Sequence, residues 1–136
     1  MGSGESSYYA VGMAERHDAG ALLAQYHPLP RGPRVCLRLA RRRDLAGIAG
    51  LYDRQGLPVH ELSLARLVSF DLLRMVVLCA TTLIDGQETV LGVGAIELER
   101  PTEPTLVLVD EQHTEGLAEL LSGALVAHAT AIRSAA

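Results

Sequence analysis

The 136-residue chain predicts one α/β domain on a mixed sheet, with its elements in the order β-α-α-β-β-β-α. Two apolar runs, Met75 to Ile84 and Thr89 to Leu98, are split by Asp85-Gly86, the dipeptide that most readily takes the positive φ angles of a two-residue hairpin turn. Asp44 to Gln55 and Thr114 to Ala131 carry apolar residues at helical spacing. Prolines at 28, 30 and 33, and again at 101 and 104, confine regular structure to the stretches between them.

Met1 to Ser7 is rich in Gly and Ser and lacks the basic start and apolar centre of a signal peptide. Ala14 to Gln25, with apolar Leu22 and Leu23, suits a short helix. His27 to Pro33 then reads as a proline-rich linker, so residues 1–33 form an N-terminal segment and 34–136 the domain. Val35 to Leu39 is the first strand of that domain. In the helix that follows, Leu45, Ile48, Ala49 and Tyr52 share one face, and Gly56 supplies the stop. Glu61 to Phe70 is a second helix with Leu64, Leu67 and Val68 inward. After the hairpin, Thr105 to Val109 is a short strand. The last helix turns Leu117, Leu120, Leu121, Ala124, Leu125 and His128 toward the core.

Composition narrows the function classes. Hydrophobic residues make up 49% and charged residues 21%, which is a globular balance with an aliphatic core. The formal charge of −4 supplies no attraction for nucleic acid or an anionic membrane, and no apolar run approaches the roughly 18 residues of a span. A cytoplasmic domain is expected. Cys36 and Cys79 lie in strand-like runs at unrelated positions, as buried thiols do, and form neither a disulfide framework nor a metal site. Arg38 and Arg41 to Arg43 read as the solvated entrance of a helix.

Arg38-Leu39-Ala40 followed by Asp44 and Ile48, Val90-Leu91-Gly92-Val93-Gly94-Ala95, and His113-Thr114-Glu115-Gly116-Leu117-Ala118 all have counterparts in one family. Together with the element order, they resemble the front two-thirds of the GNAT-type N-acetyltransferases over about residues 34 to 131. The resemblance implies that acetyl-CoA is bound where the fourth strand of that fold meets the long helix. The sites it implies there are Val109, His113, Thr114, Glu115, Gly116, Leu117 and Ala118. Backbone N–H groups at a helix start, with the dipole behind them, hold a diphosphate without side-chain charge. Gly116 and Ala118 match the family's small residues, while His113 stands where Gln or Arg is usual. Asp110, Glu111 and Glu115 are three carboxylates around that seat, and Thr114 would equally serve as a plain N-cap.

Acyl transfer to an amine needs a base for the ammonium proton. Glu97 and Glu111, near strand ends, are the candidates, with Glu97 sharing a face with Glu99 by the period of two. No metal is expected. The acceptor is a small-molecule or protein amine of unspecified identity. A non-catalytic module that associates with itself or a partner chain is the other class the residues admit. The family's fifth strand has no counterpart before Ala136. The strand Thr105 to Val109 is therefore expected to be covered by a second copy, making a homodimer, or by the segment around Tyr8 to Met13.

Overall fold

Continuous apolar runs, buried over most of β3 and β4, build the sheet, and the computed structural model, which describes residues 23–112 and 114–135, gives it five strands. They are β1 (Tyr26–His27), β2 (Val35–Leu39), β3 (Met75–Ile84), β4 (Gln87–Glu97) and β5 (Pro104–Val109). The helices are α1 (Leu45–Arg54), entered through a 3₁₀ turn at Arg42–Asp44, α2 (Glu61–Val68) and α3 (Leu117–Ala135). The strands lie side by side in chain order, and every pairing is antiparallel. The expected mixed sheet is thus corrected to an antiparallel one. The fold is α+β, and the helical crossing from β2 to β3 returns the chain antiparallel to its start.

The β3–β4 hairpin forms as expected. Asp85 and Gly86 take φ values of 52° and 79°, and Ile84 pairs with Gln87 across them. Further along, the register shifts at Ala80/Thr81, so that Ala80 faces Gly92 while Thr81 faces Val90. Leu91 is the extra residue of this bulge. It lets Val90 join the core under α1 and α2 while Leu91 joins the core under α3.

Those two cores sit on opposite sides of the sheet. One joins Leu37, Val76, Leu78 and Ile96 to Leu117, Leu121 and Leu125 of α3. The other joins Val77, Cys79 and Val93 to Ile48, Leu51, Leu64 and Val68 of α1 and α2. Gly94 sets how close α3 lies: a Cβ there would stand 2.7 Å from Leu125 Cδ1 and 3.2 Å from the Leu106 carbonyl oxygen. No side chain larger than hydrogen fits without a shift.

The segment ahead of β2 is described only from Leu23 onward. Most of the helix expected over Ala14–Gln25 lies outside the described residues, and so does Tyr8–Met13. Its last three positions, Leu23 to Gln25, are a turn and bend, with Ala24 at φ 61°. His27 is not linker but part of β1, paired with Val35. Leu23 and Leu29 pack against the α3-side core, so this stretch is an added edge of the domain.

Candidate functional site

The loop between β5 and α3 is assembled from four separate parts of the chain. Past Val109, which is half-buried against the α3-side core, the Asp110 N–H still donates to the Leu91 carbonyl at 2.7 Å. The Asp110 carboxylate then accepts from Arg54 Nε at 2.9 Å and from the Gln112 N–H at 3.0 Å. Arg54, the last residue of α1, also donates through Nη2 to the Val90 carbonyl at 2.8 Å. The Thr114 hydroxyl donates back to the Asp110 carbonyl. Thr114 is buried, and with the helix beginning at Leu117 the N-cap position falls on Gly116 rather than on Thr114.

Gly116 takes φ 86°, a left-handed conformation that costs an L-residue and that glycine adopts freely. Because the helical angles begin only after it, α3 starts at Leu117, three residues later than the periodicity suggested. The Leu117 and Leu120 N–H groups donate to the Thr114 and Gly116 carbonyls. Ala118 follows, half-buried in the first turn. Pro30 lies directly over Gly116: a Cβ there would come within 2.9 Å of the proline Cδ. Its neighbour Arg31 stands 3.7 Å from the Glu115 carboxylate, both largely exposed. His113 lies outside the described residues.

Two of the three carboxylates expected to repel an anion are thus matched by cations, Asp110 by Arg54 and Glu115 by Arg31. Glu111 is exposed. Sequence reading missed Arg54, Pro30 and Arg31 as parts of this loop. Arg54 is 56 residues from its partner, and no local pattern links them.

Glu97 and Glu111 are not brought together. Gly92 pairs with Val109 and Ile96 with Pro104, so Glu97 lies at the opposite end of the β4–β5 ladder from the loop. Five residues of strand separate Glu97 from Gly92, about 17 Å. One small substrate cannot touch both carboxylates. Glu99, expected on the same strand face as Glu97, falls in the turn after β4.

The arginine cluster divides. Arg41 to Arg43 are exposed as expected, whereas Arg38 is not. Its side chain is 12% exposed, and it grips Asp44 through both terminal nitrogens, at 2.7 and 2.5 Å. It also donates to Glu88 through Nε at 3.1 Å and Nη2 at 2.9 Å. Asp44 reaches back to accept the Arg41 N–H at 2.7 Å, closing the turn into α1. Thr81 adds a hydroxyl donor to Glu88.

Burial is the largest single influence on Asp44 and opposes its ionisation. The Arg38 and Arg41 bonds with the nearby arginine charges outweigh burial and hold its carboxyl below the ordinary value. Arg38 bonding also lowers Glu88, and Arg38 itself is raised chiefly by Asp44. This network ties β2, β4 and the head of α1 together and presents no reactive group. Cys36 and Cys79 are free thiols. Burial pushes Cys79 up to about 12, so it carries no thiolate at neutral pH.

Among the described residues there is no group of three or more His, Cys, Asp or Glu side chains placed to hold a metal ion. No helix among them is long and apolar enough to cross a membrane. The chain matches no family model, no curated protein and no solved structure.

Proposed function

We propose that the chain is an acetyl-CoA-dependent N-acyltransferase of the GNAT type, acting on an amine. The observation that carries the reading is Gly116, left-handed at the head of a 19-residue helix and at the end of the loop that leads from the edge strand β5. Left-handed glycine ahead of a helix turns backbone N–H groups toward one point, which suits an anion. A diphosphate would be held by the backbone around Gly116, where the Leu117 N–H is spent on the Thr114 carbonyl, and the pairing of Asp110 with Arg54 and of Glu115 with Arg31 offsets part of the opposing charge. Pro30 and Arg31 form the near wall of the seat.

Acetyl-CoA would supply the activated acyl thioester. Its diphosphate and thioester lie at opposite ends of the pantetheine arm, and the β5–α3 loop and Glu97 lie at opposite ends of the β4–β5 ladder. We therefore assign proton acceptance from the amine to Glu97 rather than to Glu111, which adjoins the anchor. The experiment is a thermal melt with CoA. At 100 times its Kd a ligand adds about 2.7 kcal/mol to stability, a shift of several degrees. An unmoved melting temperature at millimolar CoA ends the proposal.

A second reading, a non-catalytic module that pairs with itself, is favoured by the outer edge of β5. Among the described residues no strand covers it, since β1 sits on the opposite edge, and Val107 is 37% exposed. An apolar edge with free N–H and C=O groups invites a second strand.

A further inference from the structure

The end of the sheet away from the loop carries a groove of about 730 Å³ between the start of β3, the end of β4 and the last turns of α3. That volume is in the range of small-molecule sites. Its floor and walls are apolar: Met75, Leu98 and Ile132 line it, and Leu73 stands at its rim, 86% exposed. Around them stand two carboxylates, Glu97 and Glu99, and two guanidinium groups, Arg74 and Arg133.

These four charges are exposed, yet no ion pair joins any two of them. Arg133 instead donates to the Leu98 carbonyl at 2.7 Å, which fixes it at the groove wall. The backbone holds the rest in place, with the Leu98 N–H on the Arg74 carbonyl and the Arg100 N–H on the Glu97 carbonyl. An apolar trough flanked by unmatched charges of both signs is complementary to a molecule with an apolar body and two oppositely charged ends.

We propose that this groove binds a small amphipathic zwitterion, of the class of apolar α-amino acids and short apolar peptides. The ammonium group lies against Glu97 and Glu99, the carboxylate against Arg74 or Arg133, and the side chains against Met75, Leu98 and Ile132. As an acceptor site for acyl transfer the assignment rests on the acyltransferase reading, because it places an amine beside the base assigned there. As a binding site it does not. From Leu117 to Arg133 α3 spans about 24 Å, so the groove and the β5–α3 loop are separable in any residue-resolved measurement.

The test is amide chemical-shift titration of the intact chain, without CoA, using three probes: Leu-Leu, N-acetyl-Leu-Leu and Leu-Leu amide. Leu-Leu is expected to give saturable shifts confined to residues 73–75, 97–99 and 132–133. Blocking either end is expected to weaken binding about tenfold, as loss of one charge-assisted contact does. In the Glu97→Gln/Glu99→Gln variant, Leu-Leu and its N-acetyl form are expected to bind alike. Arg74→Gln narrows the gap between Leu-Leu and its amide if Arg74, rather than Arg133, takes the carboxylate. Absent or non-saturable shifts at millimolar Leu-Leu overturn the proposal, as does equal binding of all three probes to the unaltered chain. Saturable binding of Leu-Leu, with no shifts at the loop in a separate CoA titration, would remove the acyltransferase reading and leave the groove assignment standing.

Discussion

Replacing Arg38 with Met removes the guanidinium from the centre of its network while keeping the length and apolar stem of the side chain. Asp44 is 4% exposed and would lose both nitrogens that now bind it at 2.7 and 2.5 Å. Glu88, with a side chain 40% exposed, can turn to water. The cost therefore falls mainly on Asp44. Breaking a buried pair from one side costs about 3–5 kcal/mol, a large part of the 5–15 kcal/mol that typically separates folded from unfolded states.

The pH dependence has a definite sign. Asp44 and Glu88 both titrate below their ordinary values in the folded chain, so their ionisation stabilises the fold above the unfolded carboxylate range. That stability is lost as pH falls through the folded values. In Arg38→Met burial acts on Asp44 without its main opponent. The deficit against the unaltered chain should be greatest near neutrality and shrink toward acid, as Asp44 takes up a proton. Urea unfolding at neutral and acidic pH measures both. Asp44→Asn in the Arg38→Met background should recover part of the loss, since the amide oxygen still accepts from the Arg41 N–H. A deficit below about 1 kcal/mol, the range of solvated surface pairs, and independent of pH would refute this account of the network.

Gly94→Ala should cost about 1–3 kcal/mol by overpacking, because its Cβ meets Leu125 and the Leu106 backbone. Gly123→Ala, on the open face of α3, should gain up to about 1 kcal/mol of helix propensity; thermal melts of the two variants check the contrast. Gly116→Val should abolish the CoA-induced rise in melting temperature by forcing a β-branched residue to φ 86° beneath Pro30, while His113→Arg should enlarge that rise. Sedimentation at micromolar concentration should find a dimer that Val107→Lys converts to monomer, and a strict monomer in the unaltered chain would remove self-pairing through β5.

Local pattern carried the fold a long way because its elements are encoded locally. Asp85-Gly86 specifies its turn by the φ angles those residues tolerate, and the face of Leu117, Leu121 and Leu125 specifies which side of α3 meets the sheet. Sheet direction was not local: the order β-α-α-β-β-β-α suggested a mixed sheet where the described strands are all antiparallel. Boundaries failed where one residue's backbone overruled side-chain periodicity: Gly116 delays α3 past Thr114. The long-range polar contacts were beyond reach for a different reason. Arg38 with Glu88 and Arg54 with Asp110 lie 50 and 56 residues apart, and nothing in the spacing of charges says which arginine folds inward. The opposite placement of Glu97 and Glu111 likewise follows only from the register of β4 against β5.

The central claim is that the β5–α3 loop seats the diphosphate of CoA, and amide chemical shifts followed during a CoA titration test it directly. The account predicts saturable changes centred on Val109 to Ala118, with Arg31 and Arg54 affected at the rim and both lost in Gly116→Val. Saturable changes confined elsewhere on the domain, or none at millimolar CoA, would contradict it.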